Sequence, residues 1–193
     1  MLKIAVYSAA FSLLALAAGR PATPQSSTTT PPSSAAAKSH SATALSDSAF
    51  AKKAAEGGLA EVKFGQLAEE RGSSTAVKDF GKRMVADHSK ADEQLQNDAA
   101  KEKVTLPANM NKTDQATYDR LSKLSGSAFD RAYARDMVRD HKADIAEFEH
   151  ESQHGQQQWT KDFASQTLPT LRDHLKQAEE MLQTVEQTKA PKS

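Results

Sequence analysis

A nine-residue pattern occurs twice in this chain, as Phe80-Gly-Lys-Arg-Met84-Val-Ala-Asp87-His88 and as Tyr133-Ala-Arg-Asp-Met137-Val-Arg-Asp140-His141. Each copy sets an aromatic ring, a Met and a His four residues apart, which stacks all three on one face of a helix. A shorter version, Leu171-Arg-Asp173-His174, stands near the C-terminus. Apolar stripes that carry imidazoles restrict the fold. The core must be helical, and it must accommodate polar groups.

The rest of the chain supplies matching helices. Glycine and proline are sparse across the presumed domain, while Ala, Lys, Glu, Asp, Gln and Leu abound, a helical composition. A first helix is expected from a Ser46 or Asp47 cap to Arg71, with Phe50, Ala54, Glu61, Phe64 and Ala68 on its inner arc. Gly72 ends it. A second helix starts at Ser73 or Ser74 and runs to about Lys103, burying Val77, Phe80, Met84, His88, Ala91 and Leu95.

Leu106-Pro107 breaks the pattern, and a short helix is expected from Thr113-Asp114. Ser127-x-x-Asp130 resembles a capping box for a third helix reaching His154, with Phe129, Tyr133, Met137, His141, Ile145 and Phe148 inward. Gly155 closes it. A fourth stretch carries Trp159 as a core anchor and Phe163, and Pro169 is expected to break it. The last segment buries Leu171, Leu175, Ala178, Leu182 and Val185. Two tight hairpins joined by a long crossover make an all-α, ferritin-like four-helix bundle with a short extra helix.

Outside that bundle, Met1–Lys3 followed by the apolar run Ile4–Ala18 has the form of a secretory signal peptide at 1–19. Residues 20–46, rich in Pro, Ser, Thr and Ala, are expected to form a disordered linker, since they offer little to bury against their ordering entropy. The bundle then occupies 47–188, with a tail at 189–193. An exported protein, periplasmic or associated with the outer membrane, is the expectation, with no membrane span once the signal is removed. The 193 residues carry zero net formal charge, which gives no basic surplus for binding nucleic acid. The absence of cysteine excludes disulfides, thiolate metal sites and thiol nucleophiles. An envelope partner or a homo-oligomer stays open, with neither identified by the sequence.

One polar side chain from each helix falls on an inward stripe near mid-height: Glu61, His88 and His141 centrally, His174 on the flank. Four such groups left unpaired would cost several kcal/mol, of order 1–3 kcal/mol each. Two readings stay open. Three imidazoles and a carboxylate suit a single Zn, Fe or Cu ion, with Met84 and Met137 inclining the choice to copper as soft neighbours. Alternatively, Glu61 and water pair the imidazoles in a hydrogen-bonded core. Asp87, Asp140 and Asp173 each precede a His and could accept from a neighbouring helix's imidazole. His150 and His154 face outward, and no catalytic triad, phosphate loop or zinc-protease motif is present.

These residues also resemble a known family. Glu61-Val-Lys-Phe-Gly65-Gln-Leu67-Ala, Val77-x-x-Phe80-x-x-x-Met84-Val-x-Asp87-His88 and Leu106-Pro107 are similar to an exported bacterial family catalogued as domain of unknown function 4142. So are Phe129-Asp-x-x-Tyr133-x-x-x-Met137-x-x-x-His141, Phe163-Ala and Leu168-Pro169-x-Leu171-x-x-His174. The family carries an outer-membrane-protein label and is grouped with ferritin-like folds. The resemblance implies a fold and an envelope location; the family has no established activity. A di-iron centre is not expected, because it needs a Glu-x-x-His pair on each of two helices, and Val85, Val138 and Leu171 occupy those positions.

The expected function is a non-enzymatic envelope protein with one metal ion in its core, acting in stress tolerance or metal handling. A structural or interaction module whose His/Glu cluster only specifies the core is the alternative. A mononuclear metalloenzyme is the third.

Overall fold

A computed structural model describes residues 34–187, with side chains from Asp47 onward. Five helices follow one another: α1 (Ser34–Arg71), α2 (Thr75–Lys101), α3 (Lys112–Leu121), α4 (Gly126–His154) and α5 (Gln158–Gln187). The described residues contain no strand. The chief pairings are α1 with α2 and α4 with α5, and the hairpins meet through α1 against α4 and α2 against α5. The segment between α2 and α4 carries α3 across α1 and α4. This is the expected four-helix bundle with one long crossover.

Three features differ from the sequence reading. Helix α1 begins at Ser34, so 34–46 is helical where a disordered linker was expected. After Pro32 the chain holds Ala35, Ala36, Ala37, Ala42 and Ala44 with no Pro or Gly to stop a helix. The signal peptide, the linker up to 33 and the tail from 189 lie outside the described residues. Helix α5 runs unbroken through Pro169. Proline removes one ladder bond, but the buried Leu168, Leu171 and His174 around it outweigh that loss.

The third difference concerns capping. Ser125 occupies the cap position of α4 without a side-chain hydrogen bond. Asp130 therefore does not close a box with Ser127. Its carboxylate accepts from the Ser73 and Ser74 backbone N–H groups at 2.9 and 3.0 Å, and from the Ser73 hydroxyl. Asp47 acts likewise at the opposite end, accepting from the backbone N–H groups of Gln156 and Gln157 just before α5. Each hairpin turn is thus held by an aspartate of the other hairpin. Trp159, expected as a core anchor, is only partly buried.

The core divides into two apolar clusters. One gathers Phe64, Phe80, Met84, Phe129, Tyr133 and Met137. The other gathers Phe50, Leu95, Phe148, Phe163 and Leu171. Between them lies a polar layer, with His88 on α2, His141 on α4 and His174 on α5. On α1 the same interval, between Ala55 of one cluster and Ala60 of the other, holds Gly57 and Gly58. Glycine also brings α1 and α2 close together near the other end. A Cβ added at Gly81 would lie 2.7 Å from both the Gly65 carbonyl oxygen and Ala68 Cβ.

Candidate metal centre

His88, His141 and His174 are all buried, with one candidate ligand atom from each lying within 4.8 Å of the others. Their ring centroids form a triangle of 5.4, 5.4 and 5.9 Å. Phe80, two turns before His88, stands edge-on to the rings of His141 and His174 at 6.4 and 6.3 Å and walls the cluster on the apolar side. His174, read from the helical wheel as a flank residue, is fully buried.

Partner atoms assign the tautomers. His141 Nδ1 lies 3.0 Å from the Met137 carbonyl oxygen. A carbonyl can only accept, so Nδ1 carries the proton and Nε2 is left bare. His174 Nε2 lies 2.8 Å from Asp87 Oδ2. Burial pushes Asp87 upward, but hydrogen bonds from His174 and Arg83 outweigh it and hold the carboxyl below its usual range. Ionised Asp87 accepts from Nε2–H, which leaves His174 Nδ1 bare. These two bare nitrogens, His141 Nε2 and His174 Nδ1, are 3.4 Å apart. Neither has a proton to give the other, so two lone pairs face each other.

That separation has a meaning in coordination chemistry. Two imidazole nitrogens at about 2.0–2.1 Å from a tetrahedral ion are about 3.3–3.4 Å apart. The third ring completes the pattern, since His88 Nε2 is buried without a hydrogen-bond partner. All three rings are neutral at pH 7. Burial and the neighbouring His174 push His141 down to about 4. Burial, followed by His141 and His174, pushes His88 well below its ordinary value. Burial outweighs the Asp87 bond and lowers His174 too. Neutral imidazole is the metal-binding form.

Of the four expected ligands, the structure brings three together and sets Glu61 apart. Its Oε1 is 3.9 Å from His141 Nδ1, the ring nitrogen that does not face His174. Burial, then Asp144 and Asp140, pushes the Glu61 carboxyl well above its ordinary value. Its Oε2 has no partner. The packing of α1 puts Glu61 behind the His141 ring, away from the two facing nitrogens.

Among the aspartates only Asp87 takes an imidazole. Asp173 receives Arg83 at 2.6 Å, and Asp140 pairs with Arg139. Met84 and Met137 are fully buried in the apolar cluster, and Met137 serves His141 through its backbone carbonyl. His150 and His154 are exposed. Sequence reading missed Arg83, which donates to Asp87 at 3.2 Å and to Asp173 and so orients the acceptor behind His174. The Arg83-x-x-x-Asp87 spacing was its only signal.

A small cavity of about 30 Å³ adjoins His88, with Gly57, Asp92, Asp144 and Thr167 in its walls. A cleft of about 130 Å³ lies alongside, lined by Glu61, Asp114, Asp140 and Asp144. Burial pushes Asp92 up to about 7, and burial with the Asp140 and Glu147 charges does the same to Asp144.

Fold and site together define a helical bundle with a buried three-histidine cluster. The chain belongs to the family described as Domain of unknown function (DUF4142), which it matches over residues 30–181. It is similar in fold to the crystal structure of a DUF305 fragment from Deinococcus radiodurans, with a TM-score of 0.64 at 14% identity. That match covers 72% of this chain and 95% of the fragment. A comparison with curated proteins found no match. No described helix is long and apolar enough to cross a membrane.

Proposed function

We propose that this chain is an exported envelope protein that binds one transition-metal ion through His88, His141 Nε2 and His174 Nδ1, and acts in metal handling or stress tolerance. The observation that carries the reading is the pair of bare nitrogens 3.4 Å apart, each made bare by a hydrogen bond on the far side of its ring. A core network built only for packing would place a donor between them. Three imidazoles without thiolate suit Zn²⁺, Cu²⁺ or Fe²⁺. Asp87 and the Met137 carbonyl raise ligand basicity and fix ring orientation. Glu61 acts behind His141 and not as a ligand.

Metal analysis of untagged protein tests this. One equivalent of ion and a raised melting temperature are expected, with His141→Ala and His174→Ala losing both. Substoichiometric metal with no stabilisation by Zn²⁺, Cu²⁺ or Fe²⁺ would leave the packing-only reading in its place. A catalytic reading has one observation in its favour. Three ligands leave a tetrahedral position free, and the cavity beside His88 has room for a water. Ester hydrolysis by the Zn²⁺-loaded protein that is lost in His88→Ala would support it.

A further inference from the structure

The polar layer is walled by imidazoles on three helices, whereas α1 meets it with two glycines. Gly57 borders both the cavity beside His88 and the acidic cleft. A Cβ built there would meet nothing within 4 Å, so the α1 surface is open at that point. Gly58 is the opposite case. Its Cβ would fall 1.9 Å from Asp92 Oδ1, which shows the Asp92 carboxyl lying against bare α1 backbone beside the same cavity. Two adjacent glycines inside a helix are unfavourable relative to alanine. Here they make space next to the cluster.

The open space is lined by carboxyl groups. Asp144 borders both spaces, with Asp92 in the cavity wall and Asp114 and Asp140 in the cleft wall. Lys53 stands at the rim with its side chain 68% exposed and its ammonium on Glu147. Acidic residues alone would say little, but two buried side chains without partners end the two spaces. His88, 8% exposed and with an unpartnered Nε2, borders the cavity, and Glu61, 3% exposed and with an unpartnered Oε2, borders the cleft. The carboxylates do not themselves form a compact ligand set, since the only such group among the described residues is the three histidines. Their arrangement suits passage more than retention.

We infer that the opening between α1 and α4 at Gly57 is the path by which a hydrated metal cation reaches His88, with Asp144, Asp140 and Asp114 drawing it in. The inference rests on metal binding at the histidine cluster and adds the path and the charge type of the cargo. A passage lined by carboxyl groups favours a free cation over an anionic chelate. Focused charge of this kind raises association rates by roughly tenfold or more, and salt screens it.

Gly57→Leu tests the path without replacing a ligand or an acid, because a Cβ at that position meets nothing within 4 Å and leucine favours the helix. Loading of the apo chain with Co²⁺ is followed by stopped-flow absorption, and stoichiometry is measured at equilibrium. Gly57→Leu is expected to bind one Co²⁺ with the wild-type spectrum and undiminished melting temperature, but to load about tenfold more slowly, as binding gated by a rearrangement does. At pH 8, above the value of about 7 to which Asp144 is raised, Asp144→Asn is expected to load several-fold more slowly at low salt, the difference vanishing in high salt. Wild-type loading rates in both variants, with binding intact, would overturn the path and leave the metal site standing. Failure of the wild-type chain to bind one Co²⁺ would overturn both.

Discussion

At the residue scale, the decisive feature is which nitrogen of each imidazole keeps its proton. His174 is set by Asp87, and Asp87 is set by Arg83. Asp87→Ala should therefore weaken metal binding about 10–100-fold by calorimetric titration, as loss of an outer acceptor does at other histidine sites. The apo chain's stability should change far less. Asp92 gives a second prediction at this scale. Burial lifts its carboxyl from 3.8 to about 7, so between those values the native chain holds a proton that the unfolded chain has lost. The corresponding stability is whole below about pH 4 and is lost as pH rises through about 7. Asp92→Asn keeps the shape against Gly58 and does not titrate. Its stability in urea should gain on the wild type from pH 4 to 7, and the gap should then level off.

At the element scale, two local rules are overridden by packing. Proline inside α5 costs a ladder hydrogen bond, and the helix persists because its buried face continues past Pro169 on both sides. Pro169 is itself exposed. Pro169→Ala should restore the bond and raise stability by about 1–2 kcal/mol in chemical denaturation, less than the full penalty because proline also restrains the unfolded chain. Gly81 is the reverse case: a poor helix former required by a close contact. A methyl there would lie 2.7 Å from the Gly65 carbonyl oxygen and from Ala68 Cβ, and both sit on the packed face of α1. Gly81→Ala should destabilise by about 1–3 kcal/mol despite its better helix propensity, because α1 and α2 must separate.

At the scale of the whole molecule, the two hairpins are joined by carboxylates that reach across to each other's turns. Asp130 of α4 holds the turn before α2, and Asp47 of α1 holds the turn before α5. Both are buried, and both accept backbone N–H groups that the helix starts leave unpaired. Replacing either with Ala should cost about 2–4 kcal/mol, since hydrogen bonds to a charged acceptor are the stronger kind. The sites lie at opposite ends of α1, so the double variant should lose the sum of the two. Interdependent losses in a double-mutant cycle would mean that the turns are coupled through the bundle.

The sequence by itself determined the helices, their inward faces and the level of the polar layer. Those follow from periodicity and turn residues, which are local quantities read along one strand of chain. The aromatic-Met-His repeat and the long crossover were enough to place His88, His141 and His174 together. Only tertiary packing decided that Glu61 falls behind a ring, that Asp87 alone of three similar aspartates meets an imidazole, and that Asp47 and Asp130 cap distant turns. Each of those depends on the rotation of one helix against another. A helical wheel leaves that angle open, and the fit of Gly65 against Gly81 and of the apolar clusters sets it.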